Sequence, residues 1–161
     1  MSALSAAVQR ATSSGASFHR NYRVANAQTI YFGSYVGMPG TAALTSSRGY
    51  AVPYSNQLTI EYLGLAIGSP FNLSTSNTIV GNTSATPVPE VSVEIAPFVE
   101  LQRVVTGVSA QTDVGKAVYL SNDNDMTLTS SYAAAVGRVE YWWSSTTCDV
   151  LLYGRIASIV I

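Results

Sequence analysis

From Thr29 onward the chain is a succession of short Val, Ile, Tyr and Leu segments punctuated by Gly, Pro, Asn and Ser clusters, and this pattern restricts it to β architectures. Val91-Ser92-Val93-Glu94-Ile95 shows the period most cleanly. Side chains alternate across a strand, so Val91, Val93 and Ile95 are expected to face a core while Glu90, Ser92 and Glu94 face water. Further strands are expected over Thr29 to Val36, Leu58 to Ala66, Phe98 to Thr106, Ala117 to Leu120, Met126 to Thr129, Ala135 to Trp143, Cys148 to Tyr153 and Ile156 to Ile161. Their number and spacing predict an all-β fold, a small β-barrel or sandwich of short antiparallel strands.

Two segments stand outside that pattern. Residues 1–25 are rich in Ala and Ser; propensity allows a short helix over Ala3 to Ala11, which Thr12-Ser13-Ser14-Gly15 would stop. This stretch reads as an extended N-terminal arm that orders when it packs on something else, or else as a simple tail, leaving residues 26–161 as the β-domain. Within that domain, Gly68 to Pro89 is a polar, turn-rich connection. Connections beyond about 12 to 15 residues are usually functional or disordered, so this one is expected to be an exposed loop able to reach a neighbouring molecule, or a tolerated insertion.

The β-domain contains an internal echo. With one residue dropped ahead of the glycine, Thr29-Ile-Tyr-Phe-Gly33-Ser-Tyr-Val36 aligns with Thr112-Asp-Val-Gly115-Lys-Ala-Val118 around Gly-x-x-Val. In the same order, Leu44-Thr45-Ser46-Ser47 parallels Leu128-Thr129-Ser130-Ser131, and Leu63-Gly64-Leu65-Ala66 parallels Val136-Gly137-Arg138-Val139. In a duplicated β unit the first glycine would permit positive φ at a turn and the second would let two backbones approach closely. Chance matches between common residues are the rival explanation.

Composition narrows function. Only 11% of the residues are charged while 47% are hydrophobic, so solubility depends on hydroxyls and amides. Such a surface loses its water more cheaply than an ionic one, which suits protein contact. A net charge of −1 and a single lysine, Lys116, argue against nucleic acid as partner, because phosphate binding needs clustered cations. Arg10, Arg20 and Arg23 are expected to be solvated. One cysteine, Cys148, can form no internal disulfide and no Cys-based zinc site. The first ten residues lack the apolar core of a signal peptide, and no apolar run reaches the roughly 18 residues of a membrane span. A soluble protein made in the cytoplasm, without membrane or nucleic-acid partners, is the expectation.

No catalytic constellation stands out. His19 is the sole histidine and has no Gly-x-Ser-x-Gly elbow or cysteine-protease context to serve. Glu90 and Glu94 are expected on a wet strand face, as solvation alone requires, rather than as an acid/base pair. Asn122-Asp123-Asn124-Asp125 has calcium-loop spacing but lacks the turn glycine and terminal glutamate, so a hairpin turn is expected and no metal or cofactor. Tyr141-Trp142-Trp143 is the most unusual feature. In a strand Tyr141 and Trp143 share one face and Trp142 takes the other, so at least one ring must lie at an edge, an oligomer contact or a ligand platform. The candidate protein-contact residues are Arg10, Phe18, Arg20, Tyr22, Arg23, Phe71, Tyr141, Trp142 and Trp143. Sugar stacking on Tyr141, Trp142 and Trp143 is the competing use.

The stretch Asp113-Val-Gly115-Lys-Ala-Val118-Tyr-Leu120, then Met126-Thr-Leu128-Thr, Ala135-Val-Gly137-Arg-Val139 and Cys148-Asp-Val150-Leu-Leu152, resembles the decoration (cement) proteins of tailed-bacteriophage capsids. In that family a Gly-x-x-Val-Tyr-Leu strand, a hairpin and a Val-Gly-x-Val strand recur. The resemblance spans residues 98–154 and, more weakly, 29–67; the Ser-rich start and the connection from Gly68 to Pro89 depart from it. It implies a non-enzymatic structural protein, a homotrimer or other small homo-oligomer, bound to the major capsid protein on the outer surface of the virion where capsomers meet. The alternative is a carbohydrate-binding or fibre-type phage module.

Overall fold

The structure, a computed structural model, describes residues 12–14, 19–40, 49–55, 60–70, 77–95, 97–130 and 134–153. The expected helix over Ala3 to Ala11, the contact candidates Arg10, Phe18 and Phe71, the Leu44 to Ser47 limb of the echo and the terminal strand Ile156 to Ile161 lie outside these residues. The described part is all-β. Its strands are β1 (Thr12–Ser14), β2 (His19–Arg23), β3 (Thr29–Tyr31), β4 (Tyr35–Pro39), β5 (Val52–Pro53), β6 (Ile60–Gly68), β7 (Thr78–Val80), β8 (Glu90–Glu94), β9 (Phe98–Thr106), β10 (Ala117–Leu120), β11 (Met126–Thr127), β12 (Gly137–Trp142) and β13 (Thr147–Leu152).

Strands β9 to β13 close on themselves. The order is β9-β11-β10-β12-β13, and β13 pairs back onto β9; β9 and β11 run parallel and every other pair is antiparallel. The short β1 adds to β9 beyond the end of β11. The first half repeats this frame. Its sheet order is β2-β8-β6-β4-β5, and a parallel bridge between Val24 and Ala51 joins the end of β2 to the start of β5. The Ala51 N–H donates to the Arg23 carbonyl at 2.7 Å and the Ala25 N–H to the Ala51 carbonyl at 3.0 Å, which closes a second ring.

The two rings agree residue by residue. Val36 lies opposite Gly64 on β6, and Val118 lies opposite Gly137 on β12. Ala66 pairs with Val93, then a bulge skips one residue to Gly68 opposite Ser92. Val139 pairs with Val150, then a bulge skips one residue to Tyr141 opposite Asp149. Gly33 and Gly115, each placed ahead of the following strand, have φ of 85° and 86°. A β-carbon at Gly64 or Gly137 would run into the carbonyl of Glu94 or Leu151 on the neighbouring strand. The sequence echo is thus a structural duplication, and its glycines do the two jobs the pattern required: left-handed turn and close backbone approach.

Each unit has its own core. Val24, Ile30, Val36, Leu63, Val91 and Val93 fill the first; Val105, Val118, Leu120, Met126, Val139, Val150 and Leu152 fill the second. Tyr35, Tyr54, Tyr62 and Leu65 of the first unit pack into the second core, with Tyr62 meeting Tyr35 and Tyr54 edge to face at 6.4 and 6.2 Å. Tyrosines that could have made an external contact surface therefore join the two units. The Tyr35 hydroxyl donates to the fully buried Glu100 carboxylate, and Arg103 Nε stands 3.3 Å from that carboxylate.

Several expectations are corrected. The strand expected over Thr29 to Val36 is broken at Phe32 and Gly33, where the left-handed glycine turns the chain between β3 and β4. The connection from Gly68 to Pro89 is not a plain loop, because it contains β7, paired antiparallel with β3. Residues 19–25 are not an arm: β2 pairs along β8, and Val24 and Ala25 are buried. Glu94, expected in water, is 5% exposed, because β2 and the end of β6 flank it on both edges of β8.

Candidate functional site

Among the described residues, the most exposed aromatics lie on the outer face of β12, β13 and β9. Inward-facing Trp142 packs against the second core, so it is not a free contact residue, whereas Tyr141 and Trp143 remain 54% and 51% exposed. Their ring centroids are 4.8 Å apart at an interplanar angle of 62°. Val104, 64% exposed, lies opposite Thr147, whose carbonyl accepts the Trp143 N–H at 3.0 Å. Leu101, further along β9, is 37% exposed.

Asp149 holds this face in place. Its Oδ1 accepts the Trp143 indole Nε1–H at 2.7 Å and the Gln102 backbone N–H at 2.8 Å. Gln102 has φ of 52°, a left-handed conformation uncommon for a non-glycine residue. The cause lies in the duplicated register. On β2, Arg20 and Tyr22 pair with Val93 and Val91 and are separated by Asn21 alone; on β9, Glu100 and Arg103 pair with Val150 and Cys148 and are separated by Leu101 and Gln102. One additional residue makes a bulge, whose freed amide Asp149 satisfies.

The other candidates are dispersed. Arg20 and Arg23 are exposed on β2; the Arg20 guanidinium lies 5.6 Å from the Tyr22 ring centroid, and Arg23 stands 3.9 Å from Glu90. Tyr22 is a core residue, 7% exposed, because its position on β2 points into the first ring. His19 is exposed at the start of β2. Asn122 to Asp125 form a turn closed on itself: Asn122 Oδ1 accepts the N–H groups of Asn124 and Asp125 at 2.8 Å each. Nearby, Lys116 beside Asp113, helped by the N–H groups of Ser109 and Ala110, holds the Asp113 carboxyl well below the usual aspartate range. That carboxylate caps the 3-10 turn Gln111–Asp113 which leads into β10.

Cys148 points into the second core, and burial, with the Asp149 carboxylate next to it, pushes its thiol up to about 11. At about pH 8 this lowers the thiolate fraction on the order of a hundredfold relative to a free cysteine. A disulfide reagent is therefore expected to label the folded chain at least that much more slowly than the urea-unfolded chain. Equal rates would place Cys148 outside the core.

Comparison with protein-family models, curated proteins and solved structures gave no match.

Proposed function

We propose that this chain is a non-enzymatic structural protein that decorates the outside of a tailed-phage head, bound to the major capsid protein between capsomers and bracing the shell. The observation that carries this reading is the fixed Tyr141 and Trp143 pair on the outer face of a weakly charged closed barrel. It lies in the half of the chain whose strand motifs resemble decoration proteins. Aromatic rings held at low entropic cost are the residues that dominate protein interfaces. A sugar ring stacks on a flat aromatic face, and two rings inclined at 62° offer no shared plane, which favours protein over carbohydrate. The mechanism is multivalent: each copy contributes modest contact, and joined copies gain effective concentration on a repeating lattice. The N-terminal segment and the connection from Gly68 to Pro89 are the parts proposed to reach neighbouring capsid subunits.

Co-sedimentation of the full chain with phage heads that lack their decoration protein tests this. Saturable binding at a fixed ratio to capsid protein is expected. Failure to pellet with any such heads, or retention on a glycan array that Trp143→Ala abolishes, would overturn it.

A further inference from the structure

The duplicated frame supplies an internal control for the aromatic face. Register places Arg23 of the first unit where Val104 stands in the second, Glu90 where Thr147 stands, Ser92 where Asp149 stands and Gly68 where Tyr141 stands. Two residues beyond Gly68, Pro70 occupies the place of Trp143. The first unit's wall is polar and has no bulge: β2 pairs with β8 without a break in register, Arg23 stands beside Glu90, and the Ser92 hydroxyl donates to Asn21 Oδ1 at 2.8 Å. The ring thus closes without the additional residue of β9, without a carboxylate at the Asp149 position and without either exposed aromatic. These four features are absent together from one unit and present together in the other, where hydrogen bonds and a ring contact link them.

We propose that the bulge of β9 and Asp149 form one positioning device, which sets the Trp143 ring before any partner arrives and confines the chain's contact function to the second unit. The inference rests on the reading of the chain as a head-decorating protein and adds the residues that tune its contact from beneath the surface. The additional residue puts Gln102 at φ of 52° and aims its N–H at Asp149. Both donors meet one oxygen. The Gln102 N–H at 2.8 Å anchors Asp149 Oδ1 to β9, and the same oxygen holds the Trp143 indole N–H at 2.7 Å. A left-handed residue other than glycine carries a conformational cost, and such costs persist where they serve a site. Solvation does not demand this arrangement, because Gln102 lies at the surface, where water would satisfy its amide. What the buried carboxylate adds is a charge-assisted acceptor for an indole that is half exposed and would otherwise be free to rotate. The Tyr141 ring, and the Thr147 carbonyl that accepts the Trp143 backbone N–H, complete the hold. A ring already fixed gives up little side-chain entropy on binding.

Hydrogen exchange followed by NMR reads the device in the free, full-length chain. The Trp143 indole N–H is expected to exchange with solvent at least about tenfold more slowly than a free indole, although half of its ring is exposed, and Asp149→Ala is expected to bring it to the free rate. Asp149→Asn, which keeps an oxygen acceptor, and Gln102→Gly, which keeps the amide in a backbone that glycine adopts freely, are expected to leave it protected. The Trp142 indole resonance, unmoved in each variant, reports an intact second core. In head co-sedimentation Asp149→Ala is expected to weaken binding about three- to tenfold, as freeing one side chain implies, while Asp149→Asn and Gln102→Gly bind as wild type. Added to Trp143→Phe, which lacks the indole N–H, Asp149→Ala is expected to weaken binding no further. Free-rate exchange in the wild type, unchanged exchange in Asp149→Ala, or a full additional loss in the double variant overturns the device. A protected indole in a wild type that binds no heads sinks the capsid reading, and with it the contact role, while the device itself stands. Head binding that Asp149→Ala leaves unchanged while freeing the indole overturns the contact role alone.

Discussion

Gly64→Ala and Gly137→Ala are each expected to destabilise the chain by roughly 3 kcal/mol or more, at the upper end of what single core insertions cost. At both sites the added methyl meets a backbone carbonyl of the adjacent strand, Glu94 in one unit and Leu151 in the other, and a strand paired on both edges cannot retreat. Gly68→Ala is the control, since nothing lies within 4 Å of its β-carbon position. That change is expected to stay within about 0.5 kcal/mol of wild type. Urea unfolding of the three variants measures this. Comparable losses at Gly64 and Gly137 follow from their matching places in the two rings; a tolerated alanine at either would mean that the duplicated register is wrong there.

Arg103→Met is the second large effect, expected to cost about 3 to 5 kcal/mol, the usual result of removing one member of a buried ion pair. Glu100 is wholly buried and receives the Tyr35 hydroxyl from the first unit, while Arg103 also donates from Nη2 to the Asn124 carbonyl at 3.0 Å. This polar group spans the junction of the two units, next to the Tyr35 N–H bond to the Asp123 carbonyl at 2.8 Å. Adding Glu100→Gln to Arg103→Met is expected to recover much of the loss, because a neutral amide still accepts the Tyr35 hydroxyl and needs no cation. Denaturant titration of the single and double variants decides it. A single variant that loses under about 1 kcal/mol would show the pair to behave as a surface salt bridge.

The β class and most strand positions were legible because local period and turn residues carry them, and the duplication was legible through Gly33, Gly64, Gly115 and Gly137, whose backbone duties admit no other residue type easily. The β2, β5 and β7 strands escaped: β2 is largely polar, β5 and β7 are only two and three residues long, and their pairing is set by distant β8, β4 and β3. The tyrosines raised the opposite problem. Their sequence pattern spoke for contact surfaces without saying whether the partner was another molecule or the other half of the same chain, and Tyr35, Tyr54 and Tyr62 serve the latter. Alternation separated Trp142 from Tyr141 and Trp143 correctly. The role of Asp149 had no local signal, since it depends on an additional residue in β9 that only the comparison of registers reveals.

Hydroxyl-radical footprinting of Tyr141 and Trp143 tests most directly whether this face is a protein contact. Both rings are expected to oxidise readily in the free chain, as their exposure of 54% and 51% requires, and to be strongly protected in the chain bound to heads. Equal oxidation of the two rings in the free and head-bound states would contradict the account.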